Sequence, residues 1–490
     1  MKLIRFFLLG IILKLLLSGC SVTDPAPIYP IPSEKQLQWH AMEKYAFVHF
    51  SINTFTGKEW GYGDESPKLF NPTDFNAEQI VSTIKEAGLS GLILTCKHHD
   101  GFCLWPSKYT EYSIKNSPYK DGKGDIVREI SDACHKAGIK FGVYISPWDR
   151  NHSEYGKKGY ITYYRNQIKE LLENYGEIFE IWFDGANGGD GYYGGERSTR
   201  KIDAETYYDW EATVAMIHEI SPGTLVWQSS VPEARWCGNE AGYMDDPNWC
   251  TIKEDGTNWV PAEVDVSVRP GWFYHETEKI HSAENLFEIY LNSVGHGATL
   301  LLNIPPNKCG QINKEDAVEL FRWRKMIDEI FSNDLAQKAS IRADNTRGRK
   351  FRVENIIKKN NKANSEINRH SAANEKGYWA TEDSINSSYI DFNWKSPVTV
   401  KYIIIQENIS LGQRVKGVEI DAIRYAPDKS GYNETTNTTT FKEDIMEKIG
   451  ECTTVGYKRI IKVDSINTSS LRIRFTDSKG PLAISKIEIY

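Results

Sequence analysis

The stretch from Asp125 to Ile145 (DIVREISDACHKAGIKFGVYI) joins a helix pattern directly to a strand pattern, and this pairing decides the fold. Residues 125–137 carry apolar side chains three or four positions apart, with Asp125 as a cap and Gly138 as a stop. Residues 140–145 form a short apolar run, as in a strand that is buried on both faces of its sheet. This unit predicts a parallel sheet covered by helices.

The same rhythm repeats from about residue 40 to about residue 335. Further strands are predicted at 45–50, 91–95, 178–183, 224–228, 262–266 and 299–304. Further helices are predicted at 77–87, 160–174, 206–220 and 316–333. Apolar strands that alternate with helices over about 300 residues predict an α/β fold, a (β/α)8-like TIM barrel. A doubly wound open sheet is the alternative, but no glycine-rich phosphate-binding pattern follows the first strand.

The composition changes near residue 335, where the helical periodicity stops. Residues 355–367 are rich in Lys and Asn, and β-type runs separated by polar turns follow at 398–406, 417–425, 459–463, 471–475 and 484–490. These runs predict a C-terminal β-sandwich of about 150 residues, and they resemble galactose-binding-like (discoidin-type) domains. Such a domain either braces the barrel or binds glycan. We favour the brace, because no aromatic-rich loop stands out.

The N-terminal residues have the layout of an export signal, with Lys2 and Arg5 before an apolar run. Leu17–Cys20 (LSGC) resembles a bacterial lipobox, in which the cysteine becomes the first mature residue and carries lipid. A simple secretory signal with an incidental cysteine is the alternative. We expect a signal peptide at 1–19, a tether at 20–36, the barrel at 37–336 and the β-sandwich at 337–490. Cys20 would then anchor the protein in the bacterial cell envelope, in the periplasm or at the outer membrane, with membrane contact only through the lipid.

The overall composition argues against one class of partner and favours another. The 490 residues hold 59 Lys and Arg against 66 Asp and Glu, and this net charge of −7 argues against nucleic acid as a partner. Aromatic residues make up 12% of the chain, and their half-polar rings suit a surface that handles sugars. Trp60 lies in the Gly-rich stretch 58–63 (KEWGYG), where an exposed sugar platform is favoured over a core position.

The seven cysteines besides Cys20 match no zinc-ligand spacing, and we expect no metal and no cofactor. Cys96, Cys103 and Cys134 are predicted to be buried thiols. Cys237 and Cys250 form one candidate disulfide pair.

Polar residues cluster where the predicted strands end, which in such a barrel is where the chemistry takes place. They are His49, Lys97, His98, His99, Asp100, Tyr144, Asp184 and the stretch 235–240. Three histidines on two adjacent strands could bind zinc or could hydrogen-bond sugar hydroxyls. We favour the sugar, because Asp100 is the only carboxylate next to the histidines in sequence.

Asp184 follows an apolar strand at the point where the chain leaves the predicted barrel. Such an Asp could cap a helix, but the Gly-rich stretch 185–189 follows instead of a helix pattern. A second carboxylate would complete the pair used in glycoside hydrolysis, in which one attacks the anomeric carbon and the other protonates the leaving oxygen. Trp236, close to Glu240, is expected to give such an acid apolar cover.

Seven stretches of the barrel segment are individually specific: FVHFSINTF (47–55), EWGYG (59–63), CKHHDGFCLWPS (96–107), FGVYISPWD (141–149), EIWFDGANG (180–188), RWCGNEAG (235–242) and SVRPGWFYH (267–275). Together they resemble the α-L-fucosidases of glycoside hydrolase family 29. The resemblance implies a retaining, metal-free enzyme that removes terminal α-L-fucose, with Asp184 as nucleophile. It also implies that the fucose pocket is lined by His49, Trp60, His98, His99, Tyr144 and Trp182.

The stretch RWCGNE (235–240) is similar to the subgroup that acts on α-1,3- and α-1,4-linked fucose in branched, Lewis-type glycans. In that subgroup the final Glu is the acid/base, which points to Glu240. Cys237 departs from the aliphatic residue expected there, and residues 189–197 look like an insertion beside the nucleophile. Glu233, Glu254 and Glu263 are the other candidate acids. Broad specificity that includes α-1,2 linkages and a catalytically silent glycan-binding lipoprotein are the alternative functions.

Overall fold

The computed structural model describes residues 23–227, 229–357, 377–424, 431–433, 438–440 and 445–490. Its first part is a barrel of eight parallel strands, interrupted in sequence by a short hairpin of β5 and β6. In chain order the strands are β1 Lys44–Val48, β2 Gly91–Lys97, β3 Lys140–Ile145, β4 Ile178–Trp182, β5 Gly189–Gly191, β6 Ser198–Arg200, β7 Leu225–Trp227, β8 Arg235–Trp236, β9 Ala262–Ser267 and β10 Thr299–Asn303.

The sheet runs in the order β7-β4-β3-β2-β1-β10-β9-β8. Its two ends meet through one parallel bridge between Trp227 and Ala234, so the barrel is nearly closed. We call this junction of β7 and β8 the seam. The predicted barrel is confirmed, although β8 is only two residues long and gave no recognisable pattern in the sequence.

The helices of the described residues surround the barrel or lead into it. They are α1 Glu34–Met42, α2 Ile52–Thr56, α3 Ala77–Glu86, α4 Ile126–Ala137, α5 Lys158–Asn174, α6 Ala204–Tyr207, α7 Trp210–Ile220, α8 Ala283–Ser293 and α9 Lys314–Ile330. Asp125 caps α4 by accepting from the Arg128 N–H, and Gly138 ends that helix in the left-handed conformation, as predicted. Helices α1, α2 and α8 were not predicted from the sequence. In the part of the chain that the structure describes, no helix is long and apolar enough to cross a bilayer.

The C-terminal part is antiparallel and has its own hydrophobic core. Its strands are β11 Ser340–Ala343, β12 Trp379–Ala380, β13 Ser388–Glu407, β14 Val415–Arg424, β15 Gly431–Asn433, β16 Thr438–Thr440, β17 Ile445–Cys452, β18 Arg459–Ser478 and β19 Ala483–Ile489. The runs predicted at 459–463 and 471–475 belong to the single strand β18. An antiparallel β-domain after the barrel is therefore confirmed.

The β-domain contacts the barrel through apolar and polar side chains: Ile404 and Ile460 belong to the barrel's hydrophobic core, and the Tyr402 ring packs on Phe287. Arg459 forms an ion pair with Asp246 at 2.8 Å, and Gln413 accepts a hydrogen bond from the Cys250 N–H at 2.6 Å. These contacts are of the kind a structural brace makes, while the predicted segment boundaries stay predictions. The predicted signal peptide and Cys20 lie outside the described residues.

Candidate active site

The alternation of side chains along each strand brings the polar residues together. Successive residues of a strand point to opposite faces, so every second one points into the barrel. On β1 the inward residues Tyr45 and Phe47 are buried in the interior aromatic cluster, and His49 follows on the same face just past the strand end. On β4 the inward residue Trp182 is followed two positions later by Asp184. Both polar residues therefore lie above the packed interior, at the carboxyl ends of the strands.

The Asp184 carboxylate is held at the floor of this pocket. Tyr144 donates its hydroxyl to Asp184 Oδ2 at 3.1 Å, and the Ala186 N–H donates to Oδ1 at 2.7 Å. The side chain remains 25% exposed, so a ligand can reach it. Burial raises the pKa of Tyr144 well above its usual value, and the nearby Asp184 charge adds to this effect. The phenol therefore stays protonated and remains a donor.

His49 is a neutral imidazole whose tautomer is fixed by its neighbour. Its Nδ1 lies 2.8 Å from Asn303 Oδ1, while Asn303 Nδ2 donates to Ser267 Oγ and to the Trp272 carbonyl, each at 2.8 Å. The amide oxygen is thus an acceptor, so Nδ1 carries the proton and Nε2 is left with a lone pair. Burial lowers the pKa of His49 to about 3.

His99 is oriented in a similar way. Its Nδ1 lies 2.7 Å from Ser146 Oγ, and that hydroxyl donates its own proton to the Trp148 carbonyl at 2.7 Å. Nδ1 is therefore the donor, and Nε2 lies 3.7 Å from Asp184 Oδ2. Burial lowers the pKa of His99 and lowers that of His98 further, so all three pocket histidines favour the neutral form.

The two tryptophans predicted for the pocket differ in exposure. Trp60 is 53% exposed, and its ring edge meets the rings of His99 and Trp148 at centroid distances of 5.1 and 5.6 Å. Trp182 is only 5% exposed and stacks against Tyr144 at 5.3 Å, within the barrel interior. Trp60 is thus placed to meet a ligand directly, whereas Trp182 supports the ring that holds Asp184.

Glu240 projects from a tight turn that the sequence GNE builds. Gly238 has a φ of 100°, a conformation that favours glycine. The Asn239 side chain then bridges the turn, donating to the Tyr243 carbonyl at 3.1 Å and accepting from the Ala241 N–H at 3.0 Å. This bridge fixes the backbone on both sides of Glu240.

Trp272 connects Glu240 to the pocket. Its Nε1–H donates to Glu240 Oε2 at 3.2 Å, and its ring lies 5.1 Å from the ring of His49. The Trp236 indole, which was expected to cover Glu240, donates to Asp265 at 2.7 Å. Burial, with a further contribution from Glu263, raises the pKa of Asp265 well above its usual value.

The other candidate acids form ion pairs or hydrogen bonds with residues other than the pocket histidines. Glu233 pairs with Lys35 and Glu254 with Lys416. Glu263 is fully buried in the barrel interior, where it accepts from the Trp182 indole at 2.9 Å. Of these four carboxylates, Glu240 is the one whose partner also touches a pocket histidine.

The predicted insertion forms the hairpin of β5 and β6 beside the pocket. The Tyr192 N–H donates to the Tyr62 carbonyl at 3.1 Å, and the Trp148 indole donates to the Tyr193 hydroxyl at 3.0 Å. The hairpin therefore supports the loop that carries Trp60.

Within the described part of the chain, no group of three or more His, Cys, Asp and Glu side chains is placed to hold a metal ion. Cys237 and Cys250 are both free thiols, so the suggested disulfide is wrong for this structure. The buried thiols expected at Cys96, Cys103 and Cys134 are present.

Sequence reasoning did not single out several residues that shape the site. Asn303 and Ser146 fix the histidine tautomers. Glu59 accepts from the Trp272 N–H at 2.9 Å and ties the Trp60 loop to the Trp272 loop. Trp272 could have been predicted, since it lies in the quoted stretch 267–275. Asn303, Ser146 and Glu59 could not, because no sequence pattern marks them as hydrogen-bonding partners of the site.

Comparison with known proteins shows the family to which the chain is related. The family model for alpha-L-fucosidase matches residues 27–329. "Alpha-L-fucosidase 1" of Arabidopsis thaliana is 37% identical over 95% of this chain and 88% of its own length. Two solved structures are also similar. A glycoside hydrolase 29 family member from an unknown rumen bacterium is 39% identical, with a TM-score of 0.79 over 95% of this chain and 78% of that one. A Ruminococcus gnavus GH29 fucosidase in complex with fucose is 28% identical, with a TM-score of 0.82 over 96% of each chain.

A barrel with a carboxylate held among neutral hydrogen-bonding groups is an arrangement suited to a glycoside hydrolase. The chain belongs to the alpha-L-fucosidase family, and its activity is that of an alpha-L-fucosidase.

Proposed function

We propose that the protein is a retaining exo-α-L-fucosidase that removes terminal α-1,3- or α-1,4-linked L-fucose from branched, Lewis-type glycans. The observation that carries this proposal is the Asp184 carboxylate, to which Tyr144 donates at 3.1 Å at the end of β4. The surrounding histidines favour their neutral forms. A pocket with one carboxylate and several neutral hydrogen-bonding groups suits an uncharged sugar.

In the first step Asp184 attacks the anomeric carbon of fucose, while the bond to the leaving oxygen breaks and Glu240 donates its proton to that oxygen. The product of this step is a fucosyl ester on Asp184. In the second step Glu240 takes a proton from water, the water oxygen attacks the same carbon, and Asp184 leaves as a carboxylate. Two inversions give fucose with its original anomeric configuration.

The neutral histidines bind the sugar in this scheme. The Nε2 lone pairs of His49 and His99 accept hydrogen bonds from sugar hydroxyls, because each Nδ1 proton is already used by Asn303 or Ser146. The Trp60 ring, half exposed, offers its face to the apolar side of the sugar. Together these groups orient the anomeric carbon toward Asp184.

The nucleophile and the acid are tested separately. Asp184→Asn is expected to reduce turnover of an aryl α-L-fucoside by at least about a thousandfold. Wild-type turnover by this variant would refute the assignment. For Glu240→Gly, azide is expected to restore turnover and to give α-fucosyl azide, because azide replaces water in the second displacement and the two inversions retain the configuration of the substrate. A β-fucosyl azide product, inverted relative to the α-linked substrate, would refute the acid role of Glu240. An absence of rescue would refute it as well.

The linkage proposal rests on the RWCGNE turn and on the family resemblance of that turn. It is tested with aryl α-L-fucoside, α-1,2-linked fucosyl lactose and branched Lewis trisaccharides. We expect hydrolysis of the Lewis sugars at a kcat/KM well above that of the α-1,2-linked substrate. Hydrolysis of the aryl and α-1,2 substrates without the Lewis sugars would favour the broad-specificity alternative.

We also propose a lipid-anchored location in the bacterial cell envelope, on the basis of the Leu17–Cys20 lipobox. Cells that express the full chain and are fed a labelled fatty acid are expected to incorporate label into the wild type and not into Cys20→Ser. Equal labelling of both forms, or of neither, would contradict the anchor.

A further inference from the structure

Two buried carboxyl groups lie side by side inside the barrel, below the pocket. Glu180 on β4 and Glu263 on β9 are both fully buried, and their side chains lie within hydrogen-bonding reach of each other. Among the residues that the structure describes, no Lys, Arg or His side chain forms an ion pair with either of them. We call these two residues the interior carboxyl pair.

The hydrogen-bond donors around the interior carboxyl pair are distributed unequally. Glu263 accepts one hydrogen bond on each oxygen, from the Trp182 indole at 2.9 Å and from the Tyr45 hydroxyl. Glu180 accepts from the Trp39 indole on Oε2 at 2.9 Å. Its Oε1 is buried, and no N–H or O–H of the described residues donates to it. A proton on Glu180 Oε1 would give that atom a hydrogen bond to Glu263.

The surroundings of the pair favour such a proton. Two adjacent carboxyls that lie away from water and from any cation cannot both stay ionised at low cost. Burial raises the pKa of both Glu180 and Glu263, and the Glu180 charge raises that of Glu263 further. The pair therefore keeps a proton at neutral pH.

The interior carboxyl pair also connects the two sides of the seam. Strand β4 lies next to β7 on one side of the seam, and β9 lies next to β8 on the other. The hydrogen bond from Trp182 to Glu263 and the contact between Glu180 and Glu263 thus join β4 to β9 through the barrel interior. Trp182 stacks in addition on Trp227 of β7 at 3.8 Å, beside the bridge that closes the barrel.

We propose that Glu180 and Glu263 share one proton and act as positioning residues that hold the strand of the nucleophile against the strands that lead to the Glu240 turn. The proposal rests on the proposed function, because it takes Asp184 and Glu240 as the two reacting carboxyls. On the side of the acid, the Cys237 N–H donates to the Glu263 carbonyl at 2.9 Å, three residues before Glu240.

On the side of the nucleophile, the connection runs through two aromatic rings. The Glu263 carboxyl fixes the orientation of the Trp182 indole by accepting its N–H. Trp182 stacks against Tyr144 at 5.3 Å, and Tyr144 donates to Asp184 at 3.1 Å. Loss of the acceptor at Glu263 frees the indole to turn, and the nucleophile then loses its fixed position relative to the anomeric carbon.

The shared proton is tested by infrared spectroscopy of the full chain labelled with carboxyl-13C glutamate. A protonated carboxyl has a carbonyl band apart from those of ionised carboxylates, and the label shifts the bands of glutamate alone. At pH 7 the wild type is expected to show one labelled band that both Glu180→Gln and Glu263→Gln lack. A Gln at either position donates to the remaining carboxylate and leaves no carboxyl to protonate. Loss of the band in only one variant, or in neither, would overturn the shared proton.

The positioning role is tested by the kinetics of an aryl α-L-fucoside. Glu263→Leu removes the acceptor for Trp182 and is expected to lower kcat at least about tenfold. KM should stay within about twofold, because His49 and His99 are held by other partners. Glu263→Gln restores an acceptor and a donor, and kcat is expected to stay within about threefold of the wild type.

Glu170→Leu is the matched control. Glu170 is a buried glutamate of α5, outside the barrel interior, and it accepts from the Trp105 indole at 3.0 Å. This variant is expected to leave kcat within about twofold.

Wild-type kcat in Glu263→Leu, or equal losses in Glu263→Leu and Glu263→Gln, would overturn the positioning role. If Glu263→Leu does not fold, Glu180→Gln and Glu263→Gln decide, and a kcat more than about tenfold below the wild type in both would overturn it. A wild type that hydrolyses no fucoside would refute the proposed function instead, and the infrared result on the shared proton would be unaffected.

Discussion

Buried neutral histidines make the stability of this protein depend on pH, and His40 allows a quantitative test. His40 lies on α1, is 1% exposed, accepts from the Trp259 indole at 3.2 Å and stacks on Tyr457 at 5.4 Å. Burial lowers its pKa from 6.5 to about 3. Between these two values the unfolded chain binds a proton that the folded protein does not, so the free energy of unfolding rises with pH.

The magnitude follows from the two pKa values. In the unfolded state the pKa of His40 is 6.5, and pH 5.0 lies about 1.5 units below this value. At 1.36 kcal/mol per unit, protonation therefore stabilises the unfolded state by about 2 kcal/mol at pH 5.0. At pH 7.5 this contribution is close to zero. His40 therefore destabilises the folded protein by about 2 kcal/mol on acidification from pH 7.5 to pH 5.0.

The assay is guanidinium chloride unfolding at pH 5.0 and pH 7.5. His40→Gln keeps an acceptor for the Trp259 indole and removes the titration. It is expected to reduce the pH dependence of the unfolding free energy by about 2 kcal/mol relative to the wild type. His135→Gln, at an exposed position of α4, is the control and should keep the wild-type difference. The reasoning is refuted if His40→Gln retains the full pH dependence.

Three further substitutions test the site and its support. Asn239→Ala removes both hydrogen bonds that bridge the Glu240 turn, so kcat/KM for the Lewis trisaccharide should fall about tenfold. Recovery of activity in Asn239→Asp would show that the loss is due to the missing acceptor oxygen. Trp272→Phe keeps the ring beside His49 but loses the donor to Glu240, so kcat should fall more for substrates with poor leaving groups than for an activated aryl fucoside; equal losses would contradict this. Lys97→Met leaves the buried Asp149 carboxylate without its ion-pair partner at 3.3 Å. The free energy of unfolding, measured with denaturant, should fall by about 3–5 kcal/mol. A near-neutral effect would contradict this reasoning.

The sequence predicted the barrel well because its strands are continuous apolar runs and most of its helices have clear caps. It missed α1 (Glu34–Met42), α2 (Ile52–Thr56), α8 (Ala283–Ser293) and the two-residue strand β8. Strand β8 is defined by its pairing with β9 rather than by any local pattern, so no periodicity could find it. Strand β18 was predicted as two separate runs, because the polar residues between them interrupt the alternation.

The candidate site was predicted at the level of residue types and not of orientation. Asp184, His49 and Tyr144 were predicted to lie together, because inward positions at the carboxyl ends of the strands converge at one end of a barrel. The sequence could not show that Asn303 fixes the His49 tautomer, since the two residues are 254 positions apart. It also could not show that Trp182 stacks against Tyr144 or that the Trp272 indole donates to Glu240.

The two carboxylates follow strands that lie on opposite sides of the seam between β7 and β8. Asp184 follows β4, which pairs with β7 on one side of the seam, whereas Glu240 follows β8 on the other side. Among the described residues the pairing here is short: one parallel bridge joins Trp227 and Ala234, and the Glu233 N–H donates to the Val226 carbonyl at 3.0 Å. Local opening of that bridge would move the acid away from the nucleophile while most of the ladder stays intact. Heat inactivation of this enzyme should therefore precede the loss of its secondary structure.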